Sequence, residues 1–420
     1  MKIRLTENVL HYQPVFKIPA LRVYLTNQFL TGILFWLFFC VNTLFFIRNA
    51  RLDALQLVLV GTALEAGIFL FEIPTGMVAD LYSRRFSVVI GTAVIGLGTL
   101  LTGMVANFYL ILAGQVLWGI GFTFTSGALD AWISDEAGAN NAPTAYLRGS
   151  QFYNLGAVAG IGLCTVISFA GLNIPILASG FGMLLFAVIL ALTMPEENYK
   201  PAPVEDRHTW DHFFATFRKT FDLTRSRKVL LIILAVGLVF GLYSEGFDRL
   251  WIASLLERFT LPEISWLPVT GWVGLVYAAS MLTGAVAARI TEKRLDLTRT
   301  DHFETGLLAA TLLIALALAG FTLTPWRLLA CVLYCVIAGL RTVTNSLYTA
   351  WANTQAEPDV RATVLSTISQ ADAIGQLLGG PVSGMVAKGA GLQAGLLLSS
   401  ILLIPNMLLL SVRLIQRKKL

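Results

Sequence analysis

Charge is what this sequence has least of. Only 13% of its 420 residues are Asp, Glu, Lys or Arg, against 56% that are hydrophobic, and mean hydropathy is +0.72. A soluble chain of this length carries about 25% charged residues, and its folded surface could not hide so much apolar area. That shortage excludes a two-domain cytosolic enzyme and any sizeable disordered region. Cysteine is almost as scarce. Cys40, Cys164, Cys331 and Cys335 all stand inside apolar runs, which excludes a disulfide framework and leaves them as small packing hydrophobes. Cys331 and Cys335 share a helix face, yet no His or carboxylate stands nearby to complete a metal site. His11, His208, His212 and His302 lie outside the apolar runs, so no nucleophile–base pair can be placed within them. A phosphate-cradling G-x-x-x-x-G-K-[ST] loop is also missing. Enzyme, nucleotide-driven pump and secreted scaffold drop out, no cofactor or metal is expected, and an integral membrane protein is left.

What is present is a series of long apolar runs. About 20 apolar residues cross the hydrocarbon core as a helix. Runs of that length are predicted at 21–47, 55–79, 86–106, 109–133, 146–170 and 172–194, then at 229–256, 266–290, 303–323, 326–351, 363–387 and 392–412. The expected fold class is all-α integral membrane: twelve transmembrane helices in two pseudo-symmetric six-helix bundles, residues 1–194 and 229–420. A cytoplasmic linker, 195–228, joins them. Its Trp210, Phe213, Phe214, Phe217 and Phe221, with Arg218 and Lys219 among them, suit an amphipathic helix lying in the interface; a plain tether is the simpler role. Nothing before the first run reads as a cleaved signal peptide.

Lys and Arg set the orientation. With both termini cytoplasmic, the inside segments hold Arg84, Arg85, Arg148, Arg225, Arg227, Arg289, Lys293, Arg294, Arg361, Arg417, Lys418 and Lys419. The outside loops keep Arg48, Arg51, Arg258, Arg327 and Lys388. A pI near 9.0 is thereby explained by topology and contact with anionic lipid, and nucleic acid is excluded as a partner. A multi-pass protein of the inner cell membrane is expected, working as a monomer.

The halves echo each other. Ala131-Trp132 closes the fourth run and Ala350-Trp351 the tenth. An arginine, Arg148 or Arg361, then opens the next run, which is rich in small residues: Gly156, Gly160 and Gly162 against Gly375, Gly379, Gly380 and Gly384. Small residues let membrane helices approach closely, and paired six-helix repeats build many secondary transporters.

Between the second and third runs stands Gly76-Met-Val-Ala-Asp80-Leu-Tyr-Ser-Arg84-Arg85. It resembles the loop signature of the major facilitator superfamily, departing from it at Leu81, where a basic residue is usual, and at Ser83, where glycine is usual. The counterpart in the second half keeps Gly284, Lys293 and Arg294 without the aspartate. The resemblance implies alternating access between two bundles, with the first, fourth, seventh and tenth helices lining the cavity. Asn27 and Trp36, with Gln28 and Asn42, would then face cargo from the first helix, Tyr243 from the seventh and Arg341 from the tenth. The loop residues, joined by Glu72 and Asp130, would form a latch that holds the halves while the cytoplasmic side is closed; an aspartate at a helix N-terminus gains roughly 0.3–1 kcal/mol. Phe71-Glu-Ile-Pro-Thr-Gly76, Ser126-Gly-Ala-Leu-Asp130 and Ser244-Glu-Gly-Phe-Asp248-Arg249 resemble bacterial drug-efflux members. Two marks of proton-coupled members differ: Gln115 stands where an arginine is usual, and Gly380-Pro381 lies in the eleventh run rather than the fifth.

An ionisable side chain inside a span costs several kcal/mol and needs a partner, a cavity or a function. Glu65 and Glu72, Asp130, Glu245, Asp248 and Arg249, Arg341 and Asp372 are such residues. Carboxyls that face a dry interior can take up and release protons near neutral pH, which makes Glu65, Glu245, Asp248 and Asp372 the proton-coupling candidates. Two readings of Arg341 stand side by side: a static pair with Asp372 or Glu245, or a residue that handles cargo. Arg249 beside Asp248 reads as an internal salt bridge. The function expected is gradient-driven transport, with proton-coupled export of a small amphiphilic or drug-like molecule first. A proton-independent facilitator or importer of a polar metabolite is the alternative, and a non-transporting receptor or scramblase on the same fold a third.

Overall fold

The structure, a computed structural model, describes residues 16, 18–138, 140–199, 228–262, 264, 267–294, 300–355 and 361–418, and apart from one isolated bridge these form helices joined by short turns. The first six helices are α1 (Ala20–Arg48), α2 (Ala54–Leu81), α3 (Arg84–Met104), α4 (Phe108–Ala137), α5 (Ala142–Ala170) and α6 (Asn173–Thr193). The second six are α7 (Lys228–Arg258), α8 (Val269–Arg294), α9 (Thr300–Leu323), α10 (Arg327–Gln355), α11 (Arg361–Ala390) and α12 (Leu392–Gln416). Eleven are long and apolar enough to cross a membrane. The other, α11, has the length at 30 residues, but Ser, Thr, Gln and Gly occupy much of it. The expected interfacial helix of the linker falls within residues 200–227 and lies outside the described residues.

Side-chain caps set several helix starts. Asp53 and Gln56 cap α2 reciprocally, Gln56 N donating to Asp53 Oδ1 at 2.8 Å and Asp53 N to Gln56 Oε1 at 3.0 Å, a capping box. Asn107 Oδ1 accepts from Tyr109 N and Leu110 N to start α4. Three helices break in mid-course, α12 at Leu402 and Leu403. α1 turns at Cys40 and Val41, and Asn42 restarts it by accepting from Thr43 N at 2.6 Å. α4 breaks at Gly127, whose φ of 33° is strained for any residue with a Cβ.

The helices gather into two compact units, one of Met1–Phe45 with Ala63–His208, the other of Phe46–Thr62 with Thr209–Leu420. Chain order places residues 46–62 with the first six helices; by packing they belong to the second unit. Each unit has a seam where two helices approach without side chains between them. In the first, α1 lies on α5: a Cβ on Gly32 would strike the Tyr153 carbonyl, and one on Gly156 or Gly160 the Phe29 or Ile33 carbonyl. In the second, α7 lies on α11: Gly241 meets the Asp372 carbonyl, and Gly375 and Gly379 meet those of Leu238 and Leu242. Beside each seam a buried tryptophan anchors an apolar core. Trp132 packs with Tyr24, Val88 and Phe186, and Trp351 with Ile233, Leu307 and Leu410.

Candidate functional site

Each unit contains its own cavity. In the second, a space of about 700 Å³ opens among α7, α10 and α11. Its charged lining comes from Asp248, Arg341 and Asp372. Arg341 grips Asp248 with both arms of its fork, Nη2 donating to Oδ2 at 2.8 Å and Nη1 to Oδ1. The Tyr243 ring lies under the guanidinium, 6.0 Å from ring centre to Cζ, so the pair rests on an aromatic face. Asp372 accepts from Gln376 Nε2 at 2.7 Å, one helical turn on, and lies within electrostatic reach of Arg341. The rest of the wall mixes hydroxyl and amide groups (Ser244, Thr344, Asn345, Thr349, Ser369) with the aliphatic Ala352, Leu365 and Ile368 and an aromatic corner of Phe240, Tyr243 and Tyr348. The glycine seam places these groups: with Gly241 pressed on its carbonyl, Asp372 is held beside α7.

The first unit's cavity is smaller, about 320 Å³, and lies among α1, α3, α4, α5 and α6. Asn27, Gln28, Thr31, Thr92, Ser126 and Tyr153 line it, and Asp130 is the one charged side chain among the described lining residues. Trp36 lies beside Tyr153. The rings of Phe35, which lines the cavity, and Phe39 both touch Trp118, at 5.2 and 5.5 Å between centroids. Phe122 stacks on Trp118 at 5.5 Å, with the planes 10° apart.

Several expected pairings change. Arg249 does not pair with Asp248: its Nε donates to Glu245 at 2.8 Å. Neighbours i and i+1 point to different helix faces, whereas i and i+4 share one. Arg341 pairs with Asp248 rather than with Asp372 or Glu245. Glu245 and Asp248 thus hold different arginines while staying within electrostatic reach of each other. Glu245, 2% exposed, faces Gly61 and Gly380, away from the cavity. Glu65, half-buried on α2, lines neither cavity. Tyr243, Asp248, Arg341 and Asp372 share the second cavity, while Asn27 and Asp130 share the first. Asn42 serves as a cap.

The loop motif forms a network inside the first unit. Ser83, standing where glycine was expected, caps α3 by accepting from Phe86 N at 2.9 Å and donates to Glu196 Oε2 at 2.6 Å. Arg84 bonds Asp135 and the Ala131 carbonyl. Arg85 reaches the Ala191 carbonyl, and its backbone N donates to Glu196 Oε1 at 3.0 Å. Tyr199 donates to the Asp80 carbonyl at 2.8 Å; burial and then the Glu196 charge push its phenol up to about 12. These bonds of the two arginines lie within the first unit. The Asp80 side chain is exposed and Glu72 half-buried, and a Cβ on Gly76 would meet no described atom.

Tyr153, Thr344 and Gln376 line the cavities, and Trp118 stacks behind the lining ring of Phe122, yet single-residue reading misses all four. The signal available for Tyr153 was the repeat: it precedes Gly156 by three residues, as Asp372 precedes Gly375.

Over residues 24–371 the chain matches the profile of the Major Facilitator Superfamily. It is 22% identical over 367 residues, 85% of this chain and 87% of the relative, to YxaM of Bacillus subtilis (strain 168), an uncharacterized MFS-type transporter. Its fold resembles that of the nucleoside transporter NupG in a mutant form, with a TM-score of 0.77 and 14% identity, covering 93% of this chain and 99% of that one. It also resembles a bacterial homolog of the human lysosomal transporter Spinster in an inward-facing, unoccupied form. There the TM-score is 0.71 and the identity 17%, covering 94% of this chain and 96% of that one. At such identities the likeness is one of fold.

Proposed function

The chain belongs to the major facilitator superfamily and is a membrane transporter, and we propose that it exports a small amphiphilic molecule in exchange for protons by alternating access. It would do so as a monomer of the inner cell membrane with both termini cytoplasmic. The observation that carries this reading is the second unit's cavity, where the Asp248–Arg341 pair on the apolar helices α7 and α10, and Asp372 on the neighbouring α11, line open space. Keeping three ionic groups there costs free energy that packing alone does not require. Asp372, held by a single amide donor, is the first proton carrier. Asp248 is the second: a proton on it would release Arg341. Glu65 remains a candidate on α2, whereas Glu245, closed in by Arg249, acts as a static pair. In the first unit, Asn27, which lines the cavity, and Trp36, beside Tyr153, are candidates for a cargo contact made within that unit alone. Glu72, Gly76, Asp80 and Asp130 form the cytoplasmic gate, with Arg84 and Arg85 setting the loop's shape.

The test is proton flux in proteoliposomes. Under an imposed pH gradient, an amphiphilic dye such as ethidium is expected to drain the gradient through the wild type but not through Asp372→Asn. Unchanged pH dependence in Glu65→Gln removes that residue from the pathway. The hydroxyl-lined wall of the same cavity favours a second reading, a facilitator of polar metabolites; solute movement that never displaces protons would select it.

A further inference from the structure

We infer that the cargo carries a positive charge: a protonated amine on an apolar body, seated in the second unit's cavity between Asp372, the Thr344 hydroxyl and the ring faces of Phe240, Tyr243 and Tyr348. This rests on the transport reading and narrows it to a cargo class.

Charge balance is the first ground. Arg341 is the one cation among the described residues lining either cavity, and Asp248 occupies both arms of its fork. An anionic cargo would have to displace a bidentate carboxylate, the strongest common guanidinium partner. Asp372 accepts only the Gln376 amide among the described residues, and the first cavity adds Asp130. Both cavities are therefore left with carboxylate in excess.

The second ground is an unmade hydrogen bond. Thr344 lines the cavity and is 5% exposed, yet its Oγ1 has no hydrogen-bond partner among the described residues. A helical threonine ordinarily bonds the carbonyl one turn back, as Thr342 does to Ala338. A buried hydroxyl left open to a cavity needs a partner there, and it can accept from an ammonium N–H of the cargo, since orphaned buried polar groups are destabilising. The third ground is the aromatic corner. Phe240 stands edge to face with Tyr243 and Tyr348, at 6.2 and 5.9 Å. The Tyr348 hydroxyl is held on the Ile233 carbonyl at 2.7 Å, which fixes its ring. Carboxylate, hydroxyl acceptor and fixed ring faces are together what an ammonium group requires; a carboxylate cargo would meet like charge there.

The experiment uses the full-length protein in nanodiscs and three probes with one apolar body, phenylbutylamine, phenylbutanoate and phenylbutanol, titrated by calorimetry without any gradient. The amine should bind at least about tenfold more tightly than either of the others, as a charge-assisted bond implies. Asp372→Asn should erase that preference, Asp372→Glu should keep it, and Thr344→Val should weaken the amine about threefold to tenfold. Equal binding of the three probes, tighter binding of the carboxylate, no binding of the amine, or a preference that survives Asp372→Asn each overturns the inference. Because no proton gradient is involved, amine preference without proton flux would sink the coupling reading alone. Coupled flux with no amine preference would sink the cargo class alone.

Discussion

Gly32 and Gly241 do the same work in the two units, each lying under the carbonyl of a residue on the neighbouring helix, Tyr153 in one case and Asp372 in the other. From those glycines the rest can be aligned. Phe39 stands seven residues after Gly32, and Asp248 seven after Gly241; Phe122 stands ten before Trp132, and Arg341 ten before Trp351. The corresponding trios are thus Phe39, Phe122 and Tyr153 in the first unit and Asp248, Arg341 and Asp372 in the second. In one unit the two helix-borne groups meet through Trp118, ring on ring; in the other they meet as a forked ion pair. One backbone frame carries two chemistries. The frame is fixed by places where no side chain fits, and the chemistry by what stands next to them, so either can change while the other is kept.

That separation is breakable. The largest effect should come from the frame. Gly156→Val and Gly379→Val each thrust a branched side chain onto a backbone carbonyl of the facing helix, with no flexible neighbour to yield. Each should cost about 3 kcal/mol or more and remove most folded protein in a detergent thermal-melt assay. If one half tolerates the change, the two seams are not equivalent. Next comes the chemistry. Arg341→Phe copies the first unit's residue but strands Asp248, and because the pair faces a cavity the cost should be about 2 kcal/mol, below that of a fully buried pair. Adding Asp248→Phe should restore most of that stability while leaving proton-coupled transport dead. A double variant no more stable than the single one, read as a double-mutant cycle, would mean that the frame itself depends on the ion pair.

How much of this was legible beforehand follows the same division. The seams were visible because close approach leaves a compositional mark, and Gly156 and Gly160 match Gly375 and Gly379 residue by residue. The twelve-helix order was visible because lipid demands length and apolarity; among the described helices only α11, rich in Ser, Thr, Gln and Gly, escapes that rule. The ion pairs were not visible across helices, since which face of α10 meets α7 is a matter of rotation that composition does not record. Within one helix the expected pair, Asp248 with Arg249, was also the wrong one, although the four-residue spacing of Glu245 and Arg249 favours their pairing. Thr344 left no trace at all, because an unmade hydrogen bond is a property of the neighbours it lacks.

A middling effect is expected where the frame is kept but the charge signs are exchanged. The spacing that relates Trp132 to Trp351 also relates Val88 to Leu307 and Arg85 to Glu304. Arg85, at the start of α3, bonds the Ala191 carbonyl in the last turn of α6 and, through its backbone N, Glu196 just beyond it. Glu304, near the start of α9 and fully buried, pairs with Arg413 on α12 at 3.3 Å. Both contacts hold the third helix of a unit to its sixth, with opposite polarity. Glu196→Ala and Glu304→Ala should each cost about 1–2 kcal/mol, measured as a lowered melting temperature. Exchanging the signs in the second unit, Glu304→Arg with Arg413→Glu, should recover part of that loss. Failure to recover any would show that the inverted polarity serves the second unit's own surroundings.

The smallest effect lies where the two-unit division departs from chain order. Residues 46–62 pack with the second unit, and their polar tie is the bridge from Asp53 to Lys388 at 2.9 Å. Its side chains are 41% and 56% exposed, so the pair is worth less than about 1 kcal/mol. Burial acts to raise the Asp53 pKa, but the Lys388 hydrogen bond and the backbone donors of Gln56 and Leu55 outweigh it, leaving the carboxyl lowered. A lowered folded value means a contribution that is complete above the unfolded pKa, about 3.9, and lost as pH falls through the folded value. Lys388→Met should therefore lower the melting temperature slightly at neutral pH and little below pH 3, with the difference screened away in about 1 M salt. Asp53→Ala, which also removes the cap of α2, should cost about 1 kcal/mol more than Lys388→Met. If the two substitutions cost the same, the tie rather than the cap positions the start of α2, and the attachment of 46–62 to the second unit is electrostatic. If Asp53→Ala costs more, the attachment is set by helix geometry, and Lys388 only shields it.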